Sequence, residues 1–233
     1  TNIAGRKQLM LVSESSAIEA SKQAYVNTLQ PFEKQGKLDN DPQRVKRIQQ
    51  ITDRLVQQAI ILRPETRAWE WSVKLIDDPD TVNAWCMAGG KMAIYTGLLN
   101  KVDPTDDELA QVLAHEISHA LANHTAERMS VAMASQLGVV GIGIATRNSG
   151  YGGAALTGSA LAAALAIQLP NSRSSESEAD IIGMELAARA GYDPRASATL
   201  WQKMEKAGGS GPAEFLSTHP ASETRIENLV SQW

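Results

Sequence analysis

The chain has 233 residues, of which 43% are hydrophobic and 21% are charged, and its net charge is −4. A chain of this length and balance can bury a core without disulfides, and we predict a single domain over residues 1–233. The negative charge and the lack of a basic run exclude a nucleic-acid-binding surface, so no nucleic acid partner is expected. Because Cys86 is the only cysteine, an internal disulfide and a cysteine-based zinc site are also excluded.

The N-terminal part of the chain, residues 1–64, is predicted to be helical. Apolar residues at helical spacing favour a helix over residues 14–30 that ends near Pro31. The Asp-Pro pair at 41–42 is typical of a helix start, with the aspartate as N-cap and the proline in the first turn. The apolar spacing continues this second helix to about Arg63.

A small sheet is predicted to follow. Apolar and polar residues alternate over residues 69–76, which indicates a half-buried strand. Residues 83–87 and 91–95 favour two further short strands around a pair of glycines. With the helices on either side, this pattern predicts an α+β fold that is mainly α.

The later helices are marked by caps and breakers. A capping box at residues 105–108 predicts the start of a strong amphipathic helix that runs to about Arg128. Further helices are predicted over residues 172–190, 195–207 and 221–230, the first of them ending before a glycine.

Residues 129–172 form a Gly- and Ala-rich stretch in which Arg147 is the only charged residue. We predict a small-residue helical hairpin or lid that packs on the body of the protein. A membrane-spanning hairpin is the alternative, since the second arm is long enough to cross a bilayer. That arm is weakly apolar and broken by glycines, which favours the packed hairpin.

Residues 115–119 read HEISH, an HExxH motif within the capped helix. Positions i and i+4 lie one above the other on a helix, so His115 and His119 can bind one metal ion. Glu116 lies one step round the helix and can take a proton from an attacking water. The alternative is a pair of surface histidines.

A catalytic zinc needs a third protein ligand, which the sequence places on a later helix. Glu176 and Asp180 are four residues apart and share one helix face, which suits a carboxylate ligand followed by a carboxylate that orients an imidazole. Glu178 is the alternative ligand. His124 misses the third-histidine position of the metzincin pattern by one residue, and we predict a helix-end histidine that faces solvent or a neighbour.

The motifs HEISH at 115–119 and ESEAD at 176–180, then Thr-His-Pro at 218–220 and Arg225, resemble the HtpX/CaaX-protease-like family of zinc metallopeptidases, which are gluzincins. The chain most resembles the short periplasmic LoiP- and BepA-like type, from about residue 65 onward. The resemblance implies a zincin-like metalloprotease domain with HExxH on the active-site helix and Zn²⁺ as the cofactor.

The resemblance also implies roles for three residues outside the ligand set. Asp180 is expected to hold the second ring nitrogen of His115. His219 matches a histidine that fills the fourth zinc position at rest and keeps the enzyme latent, and it is expected to act in catalysis as an oxyanion donor when displaced. The alternative for His219 is a loop histidine that caps the last helix. Arg225 matches an arginine near the site and is expected to donate to the tetrahedral intermediate. The alternative for Arg225 is a surface salt bridge on the last helix.

An extended substrate is expected to add to the edge of the small sheet, where main-chain hydrogen bonds give affinity and side-chain pockets give selectivity. The predicted substrate-binding residues form one strand: Asn83, Ala84, Trp85, Cys86 and Met87.

The predicted function is zinc-dependent hydrolysis of peptide bonds in misfolded or exported envelope proteins. The expected partners are unfolded or extended polypeptides. The expected location is the bacterial periplasm, with an outer-membrane lipid anchor whose leader has been removed. One alternative is a periplasmic chaperone or scaffold with a largely closed metal site, and a weaker one is a membrane-embedded CaaX-type protease.

Overall fold

The computed structural model describes residues 1–140, 158–209, 213–220, 225, 227–228 and 231. It confirms an α+β fold that is mainly α. The strands are β1 (Ser72–Ile76), β2 (Ala84–Met87) and β3 (Lys91–Tyr95), and a short 3-10 helix covers Pro64–Ala68. The helices are α1 (Glu14–Lys34), α2 (Pro42–Leu62), α3 (Thr96–Val102), α4 (Asp106–Leu121), α5 (His124–Val140), α6 (Gly158–Ala166), α7 (Arg173–Arg189), α8 (Ala196–Ala207) and α9 (Glu214–Thr218).

The first two helices begin at side-chain caps. The Asp41 carboxylate accepts the backbone N–H of Arg44, and α2 matches the predicted bounds. The prediction that α1 ends near Pro31 was wrong, because the helix continues through this proline to Lys34. Proline lacks the N–H for one helical hydrogen bond and crowds the carbonyl four residues earlier, but Phe32, the next residue, packs against the core and favours continuation of the helix.

The sheet has the strand order β1-β3-β2, with β1 parallel and β2 antiparallel to β3. Within the described residues β2 is therefore an edge strand. Two of the strands match their predicted ranges within one residue, whereas β1 begins at Ser72 and not at residue 69. Trp71 lies between the 3-10 helix and β1, and its indole N–H donates to the carbonyl of Thr66.

The sheet separates two hydrophobic clusters. Ala84 and Cys86 of β2 face a large cluster built with α2, α4, α7 and α8. Trp85 and Met87 face a second cluster, in which the described parts of α1, α5 and α6 pack through small residues. This alternation buries all of β2 and places α4 directly beside it.

Helix α4 begins at the predicted capping box, in which Thr105 and Glu108 exchange side-chain to backbone hydrogen bonds. The prediction that it continues to Arg128 was wrong. It ends at Leu121, and Asn123 adopts a left-handed conformation with φ of 59°, which an α-helix cannot continue. A new helix, α5, starts at the next residue.

Helix α7 crosses α4 at very close range. A Cβ atom on Gly183 would lie 3.2 Å from the backbone N and Cα of His115. Only glycine allows this approach without a shift of one helix, and the approach brings the first turn of α7 against the middle of α4.

Several predictions fall wholly or partly outside the described residues. These are the tip of the hairpin at 129–172 and most of the helix at 221–230. The short helix α9 was missed. Within the described parts of the chain, no helix has the length and apolar character needed to span a bilayer.

Candidate metal centre

Two imidazoles on α4 meet as the HExxH spacing predicts. His115 and His119 are both buried, and their Nε2 atoms lie 3.1 Å apart. The rings are one helical turn apart and meet edge to face, with an interplanar angle of 82°, and both Nε2 atoms face the same point in space.

Helix α7 brings a carboxylate to that point. Glu176 is fully buried, with one oxygen 3.1 Å from Nε2 of His115 and the other 3.0 Å from Nε2 of His119. Glu176 lies in the first turn of α7, whose N-cap is Ser172, and the helix dipole favours an anion there. Glu178 points away from this cluster.

His219 completes the group from the segment after α9. Its Nδ1 lies 2.8 Å from Glu176 and 3.3 Å from Nε2 of both His115 and His119. Phe215 stacks on its ring at a centroid distance of 4.2 Å. The four ligand atoms lie within 4.8 Å of one another, and three imidazoles with one carboxylate suit zinc.

The electrostatics of the cluster are those of a site built for a cation. Burial opposes charge on His115, but Glu176 and Asp180 outweigh it and raise its pKa to about 10. Burial likewise opposes charge on His219, and the neighbouring carboxylates raise its pKa. Burial holds the pKa of His119 well below its ordinary value. A proton on His115 thus occupies a place where a cation would bind, and metal binding would release it.

Glu116 faces the cluster from the side of His219. One of its oxygens is buried without a well-formed hydrogen bond to the described residues, and lies 2.9 Å from Nε2 of His219. A buried carboxylate oxygen left in this state is available to accept a proton.

Asp180 and Arg225 lie behind the cluster. Asp180 is 3.3 Å from Nδ1 of His115, and the Arg225 guanidinium donates two hydrogen bonds to Asp180 at 2.6 and 2.8 Å. The same guanidinium lies 2.9 Å from Glu176. Arg225 is buried, so its contacts are not those of a surface salt bridge. Its expected role toward the tetrahedral intermediate stays a prediction.

His124 lies at a helix end, the start of α5, as predicted, and of the two predicted surroundings it has neighbours and not solvent. It is fully buried, with Nδ1 2.8 Å from Nδ1 of His119. Its other nitrogen lies 2.7 Å from Glu178, which also binds Asn2 and Arg6. The sequence signal for this contact was a third histidine five residues after the HExxH motif. His124 reaches His119 because the chain turns at Asn123 and α5 begins at the next residue.

The edge strand β2 lies beside these helices. The carbonyl of Asn83 accepts the N–H of Tyr95, so the main-chain groups of Ala84 and Cys86 face away from β3. At that outer edge the Thr125 hydroxyl donates to the Cys86 carbonyl at 3.1 Å. Burial raises the pKa of the Cys86 thiol well above its ordinary value, which leaves it unreactive.

Comparison with known proteins shows which family the chain belongs to. Residues 42–232 match the model of peptidase family M48. The chain belongs to that family. M48 enzymes are zinc metallopeptidases, so the resemblance predicted from HEISH and ESEAD is confirmed, and the cofactor is zinc.

Relatives of this M48 chain come from mitochondria and bacteria. It is 40% identical over 172 residues to the mitochondrial metalloendopeptidase OMA1 of Saccharomyces cerevisiae, covering 70% of this chain and 47% of that protein. It is 34% identical to the mitochondrial metalloendopeptidase OMA1 of Bos taurus, covering 97% of this chain and 44% of that protein. It is 33% identical to the beta-barrel assembly-enhancing protease of Escherichia coli, covering 81% of this chain and 39% of that protein. The chain thus spans less than half the length of these relatives.

Proposed function

We propose that this M48 chain is a zinc endopeptidase that cleaves unfolded or extended polypeptides and rests in a latent state. The observation that carries the proposal is the buried group of His115, His119, Glu176 and His219, with the unsatisfied oxygen of Glu116 beside it. A catalytic zinc site needs three protein ligands and a general base, and this group supplies one ligand more than that.

The chemistry divides between the metal and the chain. Zinc, when bound by these residues, supplies a Lewis acid that polarises a carbonyl and acidifies water. Glu116 is the proton carrier, because its carboxylate, once His219 is displaced from it, can accept a proton from the attacking water and pass it to the leaving nitrogen. Asp180 holds His115 from behind, and Arg225 holds Asp180 and Glu176.

His219 supports latency in two ways. Its Nδ1 lies among the ligand atoms, so it competes for the position that substrate or water must occupy. Its Nε2 faces the Glu116 carboxylate, so the base is engaged as well. Displacement of this one side chain would therefore free both the fourth metal position and the base.

The substrate is proposed to add along β2, using residues 83–87. The outward main-chain groups of Ala84 and Cys86 can pair with an extended chain. In the structure the Thr125 hydroxyl donates to the Cys86 carbonyl and the Asn83 side chain accepts from the Ala84 N–H, so both side chains must turn away for pairing over the whole strand.

The proposed location is the bacterial envelope, with a lipid anchor on the outer membrane and exported proteins as substrates. The support is the similarity to the Escherichia coli relative, whose name refers to β-barrel assembly. Fractionation of cells that express the full-length protein tests this location. Recovery in the cytoplasmic fraction would contradict it.

The decisive test of function is Glu116→Gln, which keeps the shape of the side chain but not its basicity. We expect unchanged zinc content and a loss of cleavage of an unfolded protein such as casein by about 100- to 10,000-fold. The cleavage is followed by gel electrophoresis with wild type alongside. If wild type binds zinc but never cleaves, and Glu116→Gln keeps its cellular role, the chaperone or scaffold alternative replaces this proposal.

A further inference from the structure

His119 has a partner on the ring nitrogen that faces away from the metal cluster. Its Nδ1 lies 2.8 Å from Nδ1 of His124, while its Nε2 faces Glu176 and His115. A metal-binding imidazole generally holds a partner on its second nitrogen, which fixes the tautomer and the ring orientation. For His115 that partner is Asp180, an acceptor. For His119 it is another imidazole, which can donate or accept.

Glu178 determines the direction of this hydrogen bond. One of its oxygens lies 2.7 Å from Nε2 of His124 and accepts from Asn2 at 2.7 Å, and the other accepts from Arg6. A carboxylate surrounded by donors can only accept, so the hydrogen of the His124 ring lies on Nε2. The ring is fully buried, which favours its neutral form.

The tautomer of His119 follows from that of His124. A neutral imidazole with hydrogen on Nε2 has a bare Nδ1, which accepts. The Nδ1 of His119 is then the donor, and the lone pair of its Nε2 points into the cluster. The reverse direction would place a hydrogen on Nε2 of His119 and prevent it from binding a metal.

We propose that His124 and Glu178 are positioning residues that hold His119 in the tautomer and orientation that bind zinc. The N-terminal segment, residues 1–12, holds Glu178 in place through Arg6. This inference rests on the proposed metal site.

Glu127 provides a matched control. Arg6 donates two hydrogen bonds to Glu127, at 2.9 and 2.7 Å, as well as one to Glu178. Replacement of either glutamate by alanine removes an ion pair with Arg6, but only Glu178→Ala breaks the path to His119. A difference in zinc affinity between the two variants therefore reports the hydrogen-bond relay from Glu178 through His124 to His119, and not the anchoring of residues 1–12.

The experiment measures zinc affinity by competition with a chelator, after metal removal and addition of zinc alone. We expect His124→Leu and Glu178→Ala to bind zinc about 10- to 100-fold more weakly than wild type. His124→Gln should restore most of the affinity, because its amide oxygen can accept from His119 while its NH₂ donates to Glu178. Glu127→Ala should bind as wild type does.

Wild-type affinity in His124→Leu, or an equal loss in Glu127→Ala and Glu178→Ala, would overturn the positioning role. Failure of wild type to bind zinc would instead contradict the proposed function. If a variant does not fold, ¹⁵N NMR of the imidazoles in the wild-type, zinc-loaded chain decides the matter. The relay requires hydrogen on Nε2 of His124 and on Nδ1 of His119, and hydrogen on Nδ1 of His124 would contradict it.

Discussion

At the scale of single residues, each imidazole of the cluster is held at both ring nitrogens. His115 lies between Glu176 and Asp180, and His219 lies between Glu176 and Glu116. Because His115 and His119 each have a fixed partner on the ring nitrogen away from the cluster, little reorganisation of these two rings is needed when a cation binds. The Glu176 carboxylate lies within 3.1 Å of a nitrogen of each of the three rings.

Loss of a side chain that holds a ligand imidazole at its second nitrogen typically weakens metal binding by about 10- to 100-fold. Glu176→Gln is expected to weaken zinc binding by more than this, because it changes a ligand. The amide keeps the shape but loses the charge that the imidazoles and Arg225 surround. Zinc content after dialysis measures the effect. Glu185→Gln, on the exposed face of the same helix, is the control and should keep its zinc. A stoichiometric zinc content in Glu176→Gln would remove Glu176 from the ligand set.

Because of the Glu178 carboxylate, the free energy of unfolding of the metal-free protein is expected to fall at acidic pH. Burial opposes its charge, but His124 and Arg6 outweigh burial and lower its pKa from 4.5 to about 2. A lowered pKa contributes stability above the ordinary value of 4.5, and this contribution is lost as the pH falls toward 2. Urea unfolding of wild type and Glu178→Gln should therefore differ at neutral pH and converge in that window. A difference that stays constant down to pH 2 would contradict this assignment.

At the scale of elements, the site depends on how closely α7 approaches α4. Gly183→Val would place side-chain atoms against the backbone of His115, and we expect it to destabilise the protein by about 1–3 kcal/mol. Because the helices must separate, zinc affinity should fall as well. Ile181→Val, on the exposed face of α7, should change neither. Thermal unfolding and zinc competition provide the measurements, and wild-type zinc affinity in Gly183→Val would show that the approach is not needed for binding.

The elements also show which features the sequence could predict. The start of α4 was predictable because a capping box is a local pattern, and the HExxH spacing gives the placement of its two imidazoles on any helix. The end of α4 was not, because it depends on Asn123 alone adopting a left-handed conformation. That error hid the role of His124, which lies against His119 only because a new helix begins there.

At the scale of the whole molecule, the site is assembled from distant parts of the chain. Asn2 and Glu178 are separated by 176 residues, and His115 and His219 by 104. Family resemblance predicted the second pair, but no local pattern indicates that the N-terminal segment reaches α7. Contacts of this kind depend on the packing of complete helices.

The proposed latency also belongs to the scale of the whole molecule, because His219 reaches the site from the segment after α9. A closed form that opens in about 0.1–10% of molecules predicts that His219→Ala binds a small hydroxamate chelator about 10- to 1000-fold more tightly. The control is Thr218→Ala, which removes a hydroxyl that donates a hydrogen bond to the Phe215 carbonyl. Equal hydroxamate binding by wild type and His219→Ala would mean that His219 does not close the site.

The most direct test of the metal centre is X-ray absorption at the zinc edge of the resting, zinc-loaded protein. The four buried side chains predict a first coordination sphere of three imidazole nitrogens and one carboxylate oxygen, from His115, His119, His219 and Glu176. His219→Ala should lose one imidazole from that sphere. A resting spectrum with only two imidazoles, unchanged in His219→Ala, would contradict the latent four-residue site.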